Sequence, residues 1–418
     1  MGKNDLTSRQ RRGALALTAA ALVFVAAETL VPHPENAALV ARTPIWCLVC
    51  GDLGLLDVLL NVLLFIPLGA GLRLLGRPWR QTVLLGAALS LVIETAQYLG
   101  IPGRDASLGD LITNTLGAGL GAMLAASWRA WLTPSRPAAR FLSLGAAVAW
   151  LGQIAATGAA VRPTLPPTVY WGQRAADLGQ FDTFPGRLLD ARVGALPLPS
   201  RQLPNSGEVR QALLAGDPLT AVAEPAGPTD GIAPLASIFD GDQREIVVLG
   251  QWNEDLVFRL RARAIDWKLR PPAIRLRSVF RSAAPETLTV SGAIKNDRFV
   301  VEAAGAGGRV SRVLPLSTQW GWSLLLPFEY AFGSEVGWVS ALWVGCWLLP
   351  IGFWLGFTGF RAGAAPVFAL VLLLLGLALV PALYHQPTAA AEWVAGFLGT
   401  GSGWLLARWA RARTTVHR

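Results

Sequence analysis

Asp57 and Asn61, then Ser90, Glu94 and Gln97, then Asp110 and Asn114 are polar residues set inside three strongly apolar runs. Their spacings are i and i+4, then i, i+4 and i+7, then i and i+4 again, so each set falls along one face of a helix. Ionisable groups at membrane depth are expensive and turn toward a bundle interior or a wet cavity, where they can hold a polar ligand or move a proton. Arg104 and Asp105, between the second and third runs, add a cation and another carboxylate. Such a set suits recognition of a charged group. It also suits catalysis, with Glu94 as general acid or base, Asp110 tuning it, and Arg104 holding a phosphate or carboxylate through charge-assisted bonds. A third use needs no ligand: the groups satisfy one another and brace the helices.

The elements that must position these residues are membrane helices. Hydrophobic residues make up 53% of the 418, charged residues only 15%, and there are 17 Trp; the mean hydropathy is +0.44. This composition predicts a polytopic α-helical membrane protein, with the lipid bilayer as its first partner. Crossing the hydrocarbon core takes roughly 20 apolar residues. About eight windows qualify, near 13–31, 53–75, 80–99, 108–128, 141–159, 336–358, 364–384 and 389–408. The net charge of +9 would suit nucleic acid, but Arg and Lys gather at the ends of the apolar runs, where topology places them, so no nucleic-acid partner is expected. The first run follows Lys3, Arg9, Arg11 and Arg12 and carries Glu28-Thr29 where a cleavage site needs small residues, which reads as an uncleaved signal anchor.

Loop charge predicts orientation. Arg73, Arg77 and Arg80, Arg129, Arg136 and Arg140, Arg361, and the tail Arg408, Arg411, Arg413 and Arg418 share one side with the amino terminus; the opposite loops carry Arg42, Arg104 and His385. Both termini are therefore expected in the cytoplasm, with the 160–325 insertion outside. Every polar residue of the three runs then lies in the outer half of its helix. Pro67 removes a backbone donor and predicts a kink, while Gly117, Gly119 and Gly121 predict close helix contact. The expected organisation is a basic cytoplasmic terminus (1–12), a five-helix membrane domain (13–159), an extracytoplasmic domain (160–325), a three-helix membrane domain (326–410) and a basic cytoplasmic tail (411–418).

The insertion has another periodicity. Arg244 to Leu249, Leu256 to Arg261, Ile274 to Phe280, Thr287 to Val290, Arg298 to Glu302 and Arg309 to Leu314 are short alternating or β-branched runs, punctuated by Asp240-Gly241, Asn296-Asp297 and Gly307-Gly308. They predict an all-β sandwich, mainly over 230–325. The pattern resembles a concanavalin-A-like or laminin-G-like jelly roll, a fold that often binds glycans. Residues 162–228 either complete the sheets or form a linker. Trp320, Trp322, Pro327, Phe328 and Tyr330 precede the next apolar run and predict docking at the water–lipid boundary, or a sugar-stacking platform.

Three cysteines narrow the covalent chemistry. Cys47 and Cys50, on the expected outer side, form either a disulfide or two reduced thiols. His33, His385 and His417 do not supply a second ligand pair, so no metal and no cofactor is expected. Cys346, inside an apolar run, is expected to pack as a small apolar residue.

Asp57-x-x-x-Asn61-x-x-x-Phe65-x-Pro67-x-Gly69, Ser90-x-x-x-Glu94-x-x-Gln97, Gly103-Arg104 and Asp110-x-x-x-Asn114-x-x-Gly117 together resemble the VanZ family of bacterial membrane proteins over about residues 15–130. That family is named for a protein associated with resistance to teicoplanin, a glycopeptide that binds cell-wall precursors outside the membrane. The resemblance implies a cell-envelope setting in the bacterial plasma membrane and no particular reaction. Many relatives carry an acidic residue three places after the arginine, where this chain has Ser107, while Asp105 directly follows Arg104. The expected role is to bind, sense or protect an envelope component, a lipid-linked or glycan ligand. The alternatives are an enzyme acting on a lipid-linked envelope substrate and a membrane scaffold without a ligand.

Overall fold

The apolar runs fold as helices and the insertion folds as sheets in a computed structural model that describes residues 8–32, 44–175, 181–281, 287–361 and 363–416. His33, Arg42 and His417 lie outside these residues, as do Lys3 and the first part of the basic amino terminus. The chain forms two compact units, divided between Ala138 and Ala139. Six helices among the described residues are long and apolar enough to cross a membrane: Ser8–Leu30 (α1), Gly54–Leu74 (α2), Trp79–Gly100 (α3), Arg136–Ala160 (α5), Val336–Leu355 (α7) and Ala364–Leu383 (α8). The protein is thus a multi-pass membrane protein. Two other long helices, Leu108–Ala126 (α4) and Ala390–Val416 (α9), are more polar. Asp110, Thr113, Asn114 and Thr115 dilute the first, and Glu392, Thr400, Ser402 and several glycines dilute the second.

In the amino-terminal unit, α1, α2, α3 and α4 share a core of Ala21, Val25, Phe65, Leu68, Ile93 and Ala118. Helix α2 runs through Pro67 without ending. It meets α4 at backbone distance: a Cβ on Gly121 would lie 2.0 Å from the carbonyl oxygen of Ile66, and one on Gly69 2.0 Å from that of Ala118. Small residues permit this approach where any larger side chain would hold the helices apart. Gly119, between the two contacts, faces Val83 at an ordinary 3.5 Å.

The carboxy-terminal unit joins α5, α7, α8 and α9 to two facing six-stranded sheets. Tyr170–Arg174 (β1), Ile232–Asp240 (β5), Glu245–Trp252 (β6), Asp255–Leu260 (β7), Ala273–Leu276 (β8) and Ala331–Phe332 (β12) form one sheet, in the order β1-β5-β6-β7-β8-β12. The other contains Arg187–Val193 (β2), Leu196–Pro197 (β3), Leu219–Glu224 (β4), Leu288–Lys295 (β9), Arg298–Gly305 (β10) and Gly308–Pro315 (β11), in the order β11-β10-β9-β4-β2-β3. Residues 162–228 therefore complete the sheets, adding four strands and the helix Ser206–Ala215 (α6). The β9–β10 hairpin turns on Asn296-Asp297, both at positive φ, as a two-residue turn of matching twist requires.

Phe258 and Phe299 meet edge to face across the sheets, and Trp320 stacks on Phe299 with centroids 6.2 Å apart. Trp320 is thus a core residue, 2% exposed, and not a residue of the water–lipid boundary. Its two-turn 3-10 segment, Trp320–Leu325, is mostly buried, and of the residues expected at the boundary only Pro327 and Phe328 remain well exposed. Cys346 also departs from expectation. The buried face of α7 runs through Val336, Ser340, Val344, Leu348, Ile351 and Leu355, and Cys346 falls off that stripe, on the exposed side.

Among the described residues, the joints between sheets and helices include one after α5 and one before α7. After α5, the N–H groups of Ala264 and Arg263 donate to the carbonyls of Ala160 and Arg162, and the N–H of Thr164 donates to that of Arg261. Before α7, Glu335 accepts hydrogen bonds from the Tyr330 hydroxyl (2.7 Å), the Gly333 N–H (2.8 Å) and Arg275 Nη2 (3.2 Å). Burial opposes ionisation of Glu335, but these bonds and the Arg275 charge prevail and hold its carboxyl down at about 2, against an ordinary 4.5. A depressed carboxyl stabilises the fold above its unfolded pKa and loses that contribution as pH falls toward the folded value. Melting of the protein in nanodiscs should therefore fall more steeply between pH 4.5 and about 2 than melting of Glu335→Gln. Parallel profiles would show that this joint does not carry the acid response.

Candidate functional site

The polar residues of α2, α3 and α4 meet inside the amino-terminal unit, and most of them pair. Asn61 Nδ2 donates to Asp110 Oδ1 at 2.6 Å, and Asn114 Nδ2 to Ser90 Oγ at 3.0 Å. Glu94 Oε2 accepts the Ser107 N–H at 2.8 Å, which ties α3 to the start of α4. Ser90, Glu94, Gln97, Ser107 and Asn114 are all buried. Two further contacts run to the end of α1: Gln97 Nε2 donates to the carbonyl of Thr29 (2.9 Å) and Arg104 Nε to that of Val31 (3.0 Å).

Hydrogen-bonding capacity remains. Gln97 Oε1 and Asn114 Oδ1 are buried without a partner among the described residues. Buried acceptors are nearly always satisfied, so such an exception calls for an explanation. Toward the surface, Asp57 is exposed, and Arg104 and Asp105 are half-buried. The Asp105 and Asp110 carboxylates lie within electrostatic reach of Glu94. The arrangement thus has an inner layer of helix-to-helix pairs and an outer edge carrying Asp57, Arg104 and Asp105. Chemically, that edge can meet a ligand with both charges, while the Gln97 and Asn114 oxygens can accept from hydroxyl or amide donors.

Two contributors have weak or no sequence signals. Ser107 caps α4, accepting the Asp110 N–H at 2.9 Å, and the Ser107-x-x-Asp110 spacing is the signature that could have revealed it. The Cys47–Cys50 loop completes the cap. The two cysteines are disulfide-bonded, with Cα atoms 5.8 Å apart, and the Ile45 and Cys47 carbonyls accept the N–H groups of Leu108 and Gly109. With the first three N–H groups of α4 all occupied, this helix end is not an anion site.

Together these features define a multi-pass membrane protein with a polar centre in its amino-terminal helices and a β-sandwich between its membrane segments. Residues 9–129 match the family model described as VanZ/LLP1, so the helical segment that holds this centre is VanZ-like. No curated protein matches the chain, and no solved structure does.

Proposed function

We propose that the VanZ-like segment recognises an envelope component of the bacterial plasma membrane: a cell-wall precursor, or a glycopeptide such as teicoplanin that targets one. The observation that carries this reading is the pair of unused acceptors on Gln97 and Asn114 within a cluster whose other groups are largely paired. In this reading α4 and α9 also cross the bilayer, both termini are cytoplasmic, and residues 160–325 face outward. The ligand sits against Asp57, Asn61, Arg104 and Asp105, with Glu94, Gln97, Asp110 and Asn114 behind them. The sandwich is concanavalin-A-like, a reading supported by a β5–β8 meander facing β4, β9, β10 and β11, and as such a fold it is suited to binding glycans in its own right.

The Asn61–Asp110 and Ser90–Asn114 pairs also favour a second reading, in which the cluster only braces the helices. Teicoplanin susceptibility in a strain that depends on this protein separates the two. Asp105→Asn removes a half-buried charge, and Glu94→Gln removes charge while leaving an oxygen for the Ser107 N–H. Recognition predicts that both variants lose protection at unchanged membrane abundance and melting temperature. A brace predicts that protection falls only where folded protein falls; retained protection in both stable variants would end the recognition reading.

A further inference from the structure

In the carboxy-terminal unit, α7, α8 and α9 enclose a cavity of about 320 Å³. Its walls include Leu355, Pro366, Leu370, Phe397, Gly401 and Trp404. The volume lies in the range of roughly 300–1,000 Å³ that binding pockets occupy. Leu370 and Phe397 are half exposed, so the cavity opens sideways between helices whose outer surfaces are apolar. A chain entering from that side must itself be apolar.

The rim at one end is basic. Arg408 lies over the ring of Trp404, 4.8 Å from its centroid, and Trp404 lines the cavity. Arg411 Nη1 bonds the carbonyl of Gly356, the residue after Leu355, which also lines it. Arg361 is exposed four residues ahead of Ala365, another wall residue, and Arg140 reaches the same turn through the Thr358 carbonyl. From residue 336 to 416 the only acidic residue is Glu392, about 24 Å along α9 from Arg408 at 1.5 Å per residue. The rim therefore carries positive charge with no carboxylate of this stretch close by. Basic pockets between membrane helices hold anionic lipid headgroups.

We propose that this cavity binds an anionic glycerophospholipid, with an acyl chain between α7, α8 and α9 and its phosphate among Arg361, Arg408 and Arg411. This site is separate from the polar cluster of the VanZ-like segment, and neither proposal depends on the other. Gly401 offers a direct test, because a Cβ there meets nothing within 4 Å. Gly401→Leu should fill the space without displacing a helix.

The full-length protein in detergent would be titrated with dioleoylphosphatidylglycerol and with dioleoylphosphatidylcholine, and retained lipid read by native mass spectrometry. The wild type should retain the anionic lipid preferentially. Gly401→Leu should weaken that retention roughly tenfold with an unchanged lipid-free melting temperature. Removing two rim charges in Arg361→Gln/Arg408→Gln should lower it roughly thirtyfold, to the level of the zwitterionic lipid. Equal retention of the two lipids by the wild type would overturn the proposal and leave the arginines a purely topological role. Wild-type retention by a folded Gly401→Leu would overturn it too, and if that variant unfolds, the arginine pair decides alone.

Discussion

Gly121→Ala should sharply reduce the folded protein that survives solubilisation, whereas Gly119→Ala, two residues away on α4, should be close to neutral. At Gly121 the added methyl would sit 2.0 Å from the carbonyl oxygen of Ile66 and 2.8 Å from the backbone nitrogen of Ala70. Both belong to the main chain of α2 and cannot rotate aside, so the helices must separate. Overpacking of this kind costs about 1–3 kcal/mol, and more where the obstacle is rigid. Separation would also strain the Asn61–Asp110 bond, which spans the same two helices. At Gly119 the methyl meets only Val83 at 3.5 Å and gains helix propensity. Fluorescence-detected size exclusion and melting of both variants would check this, and equal behaviour would refute the close α2–α4 contact.

Arg259→Ala should destabilise the sandwich by about 3–5 kcal/mol, the usual consequence of leaving a buried charge without its partner. Arg259 Nε lies 2.6 Å from Glu245 Oε1, and its other nitrogens reach Glu245 and Glu329. Burial works against the guanidinium, but the two carboxylates outweigh it and raise its pKa further. The Arg259 side chain is only 11% exposed and that of Glu245 17%. By contrast, Arg187→Ala breaks the exposed pair with Glu224 and should change stability by less than about 1 kcal/mol. The double variant Arg259→Met/Glu245→Leu should recover much of the loss, since an apolar pair needs no counter-charge. Thermal melting of the full chain is the measurement; similar shifts for Arg259→Ala and Arg187→Ala would remove the case for a buried ion pair.

Patterns that depend on residue type and local spacing could be read before the fold was known. Apolar runs mark the helices, Asn296-Asp297 marks a hairpin, and helical spacing sets the polar residues of each run on one face, though not which partner each meets across helices. Contacts to backbone could not be read this way. Gln97 and Arg104 bond the carbonyls of Thr29 and Val31, and a carbonyl carries no signature of the residue that owns it. Long-range partners were equally silent. Trp150 of α5 packs with Val344, Leu348 and Leu377, nearly two hundred residues later or more, and nothing in its own helix names them. Trp320 looked interfacial because aromatic residues beside a membrane segment usually are, yet Phe299 and Phe332 supplied a larger apolar surface. Residues 162–228 were ambiguous because prolines and glycines crowd the segments between β1, β2, β3 and β4, and because β1 and β4 are completed by β5 and β9, strands further along the chain.

The sandwich is gripped at Ala160–Thr164 and again at Tyr330–Glu335, on either side of its own sequence. A domain hung from one tether can swivel; one held at two separated points cannot. Any torque on the sheets is passed into α5 and α7 together, and both helices contribute to the core around Trp150, Val344 and Leu348. The sheets and these helices are thus tied at both ends of the insertion, so a displacement of the sandwich reaches α5 and α7 at once.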